Sequence, residues 1–418
     1  MTTSPSFRLS PGQIEGIARS THALNVWYGS VSSGKTMAWL LMMLGEIKRA
    51  GPSGEIVICG KSLDAVYQNV FRPLFTEPIF ATAVPFIEYK RRRPSAKIFG
   101  REVQIIGVND SGAEGRIRGG TYQLLFYDEL TLCPKNVWEM LWSRMRATGN
   151  PQPPRVFATT NPATSSHYLK TDFIDQAAAT DTYARLFTMD DNPGLTEEYR
   201  QRMKASYTGV FYRRMILGEW ATADGAVFEA WDPQTMVNPR QEGDVLAVGI
   251  DYGTNHPSAG YALSLVDGGL QLTHEWSPQV HDGGRSRLTD NELADSLTRW
   301  LAALPNPPRA IYVDPAALSF HEELRRRGIV THKADNRVID GIRTVDSMLT
   351  SGSLTVAANC RRLIDEIPGY KWDSKATERG RDAPVKEKDD HVDAMRYAVY
   401  SSRGLWRRWV TAPADHED

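Results

Sequence analysis

Residues Gly29-Ser30-Val31-Ser32-Ser33-Gly34-Lys35-Thr36 decide how the whole chain is read. They fit G-x-x-x-x-G-K-[ST] in full, with an apolar run before them (Leu24–Tyr28) and a helical run after them (Lys35–Ala50). A strand that breaks into a glycine-bounded loop and then a helix turns backbone N–H groups inward and adds the helix's positive end. Such a loop holds phosphates. Gly29, Ser30, Ser32, Ser33 and Gly34 are then the cradle for ATP, Lys35 reaches its β- and γ-phosphates, and Thr36 is placed to ligate Mg²⁺.

Outward from the loop, short apolar runs alternate with helical ones. Glu55–Cys59, Val103–Ile106, Tyr122–Tyr127 and Arg155–Thr159 read as strands, Ser62–Phe71 and Pro134–Arg146 as helices. That alternation predicts an α/β layer with a mostly parallel sheet. A phosphate loop calls for an acid at the end of another buried strand, and Leu124–Tyr127 leads into Asp128 and Glu129. Asp128 would hold the Mg²⁺ and Glu129 would polarise the attacking water, so hydrolysis is predicted and not binding alone. Thr160 and Asn161, after the next strand, are placed to sense a γ-phosphate, although an ordinary turn has the same composition. Arg116 and Arg118, in the Gly-rich segment Gly115–Gly120, are both candidates for an arginine that stabilises transition-state charge from a neighbouring subunit.

The pattern breaks over Ala221–Asp244, rich in Gly, Pro, Asp and Asn, and a second α/β series then begins. Val245–Ile250, Ala259–Val266, Leu270–Trp276 and Ala310–Val313 read as strands; Asn291–Ala303, His321–Arg327 and His391–Ser402 as helices. Asp251 and Asp314 each end a strand, and the closing helix carries acids at Asp389, Asp390 and Asp393. Two strand-end carboxylates and one from a packed helix suit Mg²⁺ or Mn²⁺, hard cations that take oxygen ligands. A pair of such ions serves phosphodiester hydrolysis. On spacing alone the helix ligand is any of the three acids.

Composition sets the outer limits. The 418 residues are 41% hydrophobic and 24% charged, values of a folded chain, and too many for one core. The longest apolar run, Met37–Leu44, is short of a membrane span, the N-terminus has no signal pattern, and three scattered cysteines form no disulfide framework. The expectation is a soluble intracellular protein. A net charge of −1 gives no global pull toward nucleic acid, which leaves local stripes such as Lys90–Arg93 and Arg325–Arg327. Trp372–Asp390 reads as a charged hairpin or loop, with Lys386 and Lys388 as candidate DNA contacts.

The combination resembles the large terminase subunit of tailed bacteriophages, over nearly the whole chain: LSPGQIEGI (9–17), GSVSSGKT, LLFYDE, TTNP, then GIDYG, IYVDP and DHVDAMRYA. The resemblance implies a P-loop ATPase over 1–220, a connector over 221–244, an RNase H-like nuclease over 245–405 and a tail over 406–418. It implies that Gln13 recognises adenine and that Lys35, Thr36, Asp128 and Glu129 take their phosphate, magnesium and catalytic roles. Thr160 and Asn161 would couple hydrolysis to motion, and Arg118 would act in trans, with Arg116 second. Asp251, Asp314 and Asp393 fall on the three nuclease acids, which selects Asp393 on the helix. The family's usual basic residue inside the loop is replaced here by Ser32 and Ser33. The function implied is a motor that drives double-stranded DNA into a procapsid and cuts it. Its implied partners are the portal protein, a small terminase subunit and further copies in a pentameric ring, in the host-cell cytoplasm and with no membrane. A helicase-like motor, an RNase H-like recombinase with a fused ATPase and a nucleotide-binding scaffold are the alternatives.

Overall fold

Two series of short apolar strands, each interrupted by helices, close into two separate sheets. The computed structural model describes residues 8–253, 257–278 and 288–410. These form two units, 8–201 with Tyr212–Thr222, and Arg202–Phe211 with 223–410.

The first unit has eight strands: β1 (Leu24–Gly29), β2 (Glu55–Gly60), β3 (Ile87–Glu88), β4 (Ser95–Ile98), β5 (Arg101–Gly107), β6 (Tyr122–Tyr127), β7 (Arg155–Thr160) and β8 (Thr182–Phe187). Their spatial order is β3-β4-β5-β2-β6-β7-β1-β8. From β5 to β8 every pairing is parallel, and only the β3–β4–β5 edge is antiparallel. A parallel sheet must be covered on both faces, and every position of β6 and β7 is buried accordingly. Helix Lys35–Arg49 lays Trp39, Leu40 and Met43 on one face, while Lys135–Trp142 lays Trp138 and Leu141 on the other.

Parallel order places the C-terminal ends of β6, β7 and β1 side by side. The acidic pair, Thr160-Asn161 and the phosphate loop therefore emerge along one edge, where open α/β sheets bind ligands. The helix expected over Ser62–Phe71 runs on to Thr76 in three segments, Leu63–Val66, a π turn over Tyr67–Phe71 and Arg72–Thr76. The Arg72 N–H bonds Tyr67 O, five residues back, and Pro73, which lacks an N–H, sits early in the last segment where none is needed.

The second unit has β9 (Val237–Asn238), β10 (Asp244–Asp251), β11 (Ala259–Val266), β12 (Gly269–Trp276), β13 (Ala310–Val313), β14 (His332–Lys333) and β15 (Leu354–Ala357). The order is β14-β13-β10-β11-β12-β15-β9, antiparallel at β10–β11–β12 and parallel elsewhere. Helix Asp390–Ser401, buried from His391 to Tyr400, lies directly on β10. A Cβ on Gly249 would stand 2.1 Å from Ala398 N and 2.4 Å from Ala394 O, so only glycine lets the helix backbone rest on the strand. The expected loop at Trp372–Asp390 is more ordered than its charge suggests. Asp373 caps a short helix, Ser374–Glu378, and Trp372 and Thr377 are buried. The tail expected from Trp406 onward begins with that residue fully buried, its indole donating to Val399 O at 2.8 Å; residues 411–418 lie outside the described residues.

Cys59, Cys133 and Cys360 are all buried thiols. Among the described residues no helix is long and apolar enough to cross a membrane.

Asp346, on helix Val338–Thr350, is 4% exposed and accepts from Thr208 Oγ1 at 2.9 Å. Burial pushes its carboxyl up to about 6, with Glu229 nearby adding to the shift.

These contacts set the response of stability to substitution and to pH. Gly249→Ala should cost at least about 3 kcal/mol in urea unfolding, while Gly404→Ala, where a Cβ meets nothing within 4 Å, should be neutral. Because the folded carboxyl of Asp346 binds its proton more tightly than the unfolded one, the stability it lends is complete in acid and is lost as pH rises through about 6. Asp346→Asn should thus stabilise the protein at pH 8, by up to about 3 kcal/mol, and the gain should fade toward pH 4. A pH-independent difference would contradict this account.

Candidate nucleotide site and acidic centre

The phosphate loop is held by contacts that require its glycines. A Cβ on Gly29 would lie 1.8 Å from Phe187 O, the acceptor for the Ser30 N–H at 2.8 Å. Gly34 has φ +74° and stands against Gln13 and Asn192. The Lys35 ammonium is buried, donating to Ser30 O at 3.0 Å and to Asn161 Oδ1 at 2.7 Å. Burial pulls its pKa down to about 8, against Asp128 and Glu129, which draw it upward. Asp128 accepts from Thr159 Oγ1 at 2.7 Å and from Asn69 Nδ2 at 2.9 Å, and burial nevertheless holds its carboxyl above the usual range. Thr160 is tied to Thr131, hydroxyl to hydroxyl at 2.6 Å, fixing the β7 end to the turn after Glu129. Glu129 takes φ +60°, a left-handed conformation uncommon for glutamate.

These groups surround a cavity of about 430 Å³, with Thr36, Glu129, Asn69 and Tyr199 in its wall. Ser30 Oγ and Ser33 Oγ are buried with no partner in the protein. Orphaned hydroxyls beside a buried ammonium suit phosphate oxygens, which would satisfy both.

Gln13 stands beside the phosphate loop. It is buried, its Oε1 accepts from Ser10 N at 2.9 Å in a capping box, and its Nε2 donates to Gly34 O at 3.2 Å. The structure brings Gln13 against the loop with both ends of its amide engaged. It does not bring Arg116 or Arg118 to the loop of the same chain. Arg116 lines a second hollow with Glu55 and Glu102, at the strands' starting edge, and its Nε and one terminal nitrogen are buried without partners. Arg118 is exposed and pairs with Glu114 at 3.3 Å. It lies just before β6, whose six residues separate it from the loop's edge by roughly 20 Å. Asn69, Asn192, Tyr199 and Thr131 escape a reading of the sequence, for no local pattern marks them.

In the second unit the register does the gathering. β10 and β13 pair Ile250 with Val313, so Asp251 and Asp314 follow at the same level of neighbouring strands. Helix Asp390–Ser401 adds Asp393 above them. The Asp251 carboxyl is held well above its usual range, first by its burial and then by Asp393, Asp314, Asp390 and Asp389. Four acids thus act on one carboxyl. Among the described residues, however, no three metal-ligating side chains close around one point. Asp393 is turned to cations of the chain itself: Lys386 Nζ stands 3.1 Å from Asp393 and 3.0 Å from Asp389, and Arg396 stands 3.1 Å from Asp393. Lys386, expected to contact DNA, is here a counter-charge to the acids. Oxygen donors carrying uncompensated negative charge fit a hard divalent ion in kind, and Lys386 occupies part of the space such an ion would share.

Comparison with known proteins now bears on both units. A family model described as terminase large subunit, T4likevirus-type, N-terminal, matches residues 26–232, and one described as terminase RNaseH-like domain matches 248–401. The chain belongs to the terminase large-subunit family. Its two units are the family's ATPase and RNase H-like nuclease domains. The large terminase of a thermophilic bacteriophage superposes with TM-score 0.86 at 27% identity, over 96% of this chain and 99% of that one. The same phage protein in complex with ADP gives 0.83 over 93% of this chain and 98% of that one, again at 27% identity. In complex with ATP-gamma-S it gives 0.82 at 26% identity, over 94% and 100%. The terminase large subunit of Escherichia phage T5 is 35% identical over 99 residues, which span 22% of this chain and 23% of that protein.

The acidic centre generates a binding prediction. Millimolar Mn²⁺ should raise the melting temperature of the protein, Lys386→Met should enlarge that rise, and Asp251→Asn should abolish it. Equal shifts in all three would place the ion elsewhere.

Proposed function

We propose that this terminase subunit is the ATP-driven motor and endonuclease of viral DNA packaging. The observation that carries the reading is the cavity at the β6–β7–β1 edge, where a buried lysine, two acids and unpartnered loop hydroxyls converge. The relative from the thermophilic phage is known in complex with ADP and with ATP-gamma-S, and that likeness supports reading the cavity here as a nucleotide site.

In this mechanism Lys35 neutralises the β- and γ-phosphates, and the loop N–H groups with Ser30 and Ser33 fix them. Thr36 and Asp128 would hold Mg²⁺, which would supply charge neutralisation across the phosphates. Glu129 orients and polarises the attacking water. Asn161, bonded to Lys35, and Thr160, bonded to Thr131, register whether the γ-phosphate is present. Arg118 is exposed at the far edge of the sheet, so its role is in trans, to a neighbouring copy in a ring; Arg116, half-buried, is the weaker candidate. Gln13 reads adenine once the nucleotide competes for its amide.

In the nuclease domain Asp251, Asp314 and Asp393 would hold Mg²⁺ or Mn²⁺, which would supply water activation and stabilisation of the leaving oxygen. Lys386, which pairs with Asp393, would give up that contact to a bound ion. Cutting is nearly indifferent to sequence, because phosphate contacts position DNA without specifying it. The substrate is double-stranded DNA, and the portal protein, a small terminase subunit and a homo-oligomeric, pentameric ring complete the machine in the host cytoplasm.

Plasmid cleavage and ATP hydrolysis test this division of labour. With Mn²⁺ or Mg²⁺, Asp251→Ala should lose cutting and keep ATPase, whereas Lys35→Ala should do the reverse. Glu129→Ala should bind ATP and hydrolyse it about a hundred-fold more slowly. Mixing Arg118→Ala with Lys35→Ala subunits should recover part of the ATPase that each lacks alone. Recovery absent at every ratio would remove Arg118 from the trans role.

A further inference from the structure

One residue of the phosphate loop is held in a conformation its side chain does not favour. Ser32 has φ +54°, a left-handed conformation that costs a non-glycine residue about 1 kcal/mol or more. Two groups from the segment after β8 keep it there. Asn192 Nδ2 donates to Ser32 O at 2.8 Å, and the hydroxyls of Ser32 and Tyr199 stand 2.8 Å apart. The segment is itself braced, since Arg200 donates to Asp190 at 2.7 Å and to Asn192 O at 3.2 Å, and the Tyr199 N–H donates to Thr196 Oγ1 at 3.2 Å. Asn192, Leu195 and Tyr199 share the cavity with Lys35. The loop is therefore clasped from outside at Ser32, one of four residues between its flanking glycines, next to Ser33, whose hydroxyl has no partner in the protein.

We propose that Tyr199 is a positioning residue of the nucleotide site, acting through Ser32 to hold the loop in its phosphate-receiving shape. The inference deepens the reading of this cavity as a nucleotide site and rests on it. Without the hydroxyl pair, Ser32 relaxes toward negative φ and turns part of the cradle away. The loop must then be re-formed on binding, and that cost appears as lost affinity. The clasp uses uncharged hydroxyls at the place where the resembling family usually sets a basic residue, so it shapes the loop without adding charge.

The test is calorimetric titration of ADP with Mg²⁺ onto the full chain. Tyr199→Phe and Ser32→Ala should each weaken binding about five-fold, the worth of one net hydrogen bond. The double variant should be no weaker than either single one, and melting without nucleotide should be unchanged. Ser32→Gly should bind close to the wild-type level, and Tyr199→Phe should add nothing in that background, because glycine takes positive φ without penalty. Additive losses, Ser32→Gly as weak as Ser32→Ala, or Tyr199→Phe binding like the wild type would each overturn the clasp. Lys35→Ala separates the two levels. Wild-type binding in that variant would overturn the nucleotide site and the clasp with it, whereas binding lost there but intact in Tyr199→Phe would overturn the clasp alone.

Discussion

Backbone lying directly on backbone is the constraint from which both sites derive. At Gly29 the phosphate loop leaves β1 against the Phe187 carbonyl, and at Gly249 the closing helix rests on β10 through Ala394 and Ala398. Neither approach has room for a side chain. The first sets where the loop N–H groups point, and the second sets how far Asp393 stands above Asp251. Side chains then add chemistry to positions that the glycines have already fixed.

The two sites handle buried charge in opposite ways. Around the phosphate loop, one ammonium is desolvated beside two acids, and its hydrogen bonds to Ser30 and Asn161 hold it in place. In the second unit acids outnumber cations, and the excess is expressed on Asp251, whose carboxyl is held well above its usual range first by burial and then by the neighbouring acids. Lys386 and Arg396 offset part of it from the side of Asp393. A site with spare negative charge invites cations, and one with a buried ammonium beside unpartnered loop hydroxyls invites phosphate. Each is poised for the partner it lacks.

Much of this is legible in the sequence, for a reason that particular residues make clear. Gly29–Thr36 is contiguous, and Asp128, Asp251 and Asp314 each follow a short apolar run that reads as a buried strand. Strand ends and loops are local, and local patterns are what sequence displays. Asn69, Asn192 and Tyr199 reach the same cavity from elements whose sequences carry no sign of it, Asn69 from within a π turn. β4 and β8 go unseen because edge-facing polar residues dilute their apolar content. The capping box at Ser10 and Gln13 is a recognisable pattern, S-x-x-Q, that accounts for half of what Gln13 does. The ion pairs of Lys386 depend on a fold in the charged segment that composition alone argues against.

The three native thiols have a practical consequence. Cys59, Cys133 and Cys360 are buried, and burial raises the pKa of each, up to about 11 for Cys133, so little thiolate is present or reachable at neutral pH. A maleimide dye would thus find no competing native target in the folded protein. A cysteine placed on an exposed residue of either domain would carry the label alone, which opens the protein to distance measurements by fluorescence without first removing the natural cysteines.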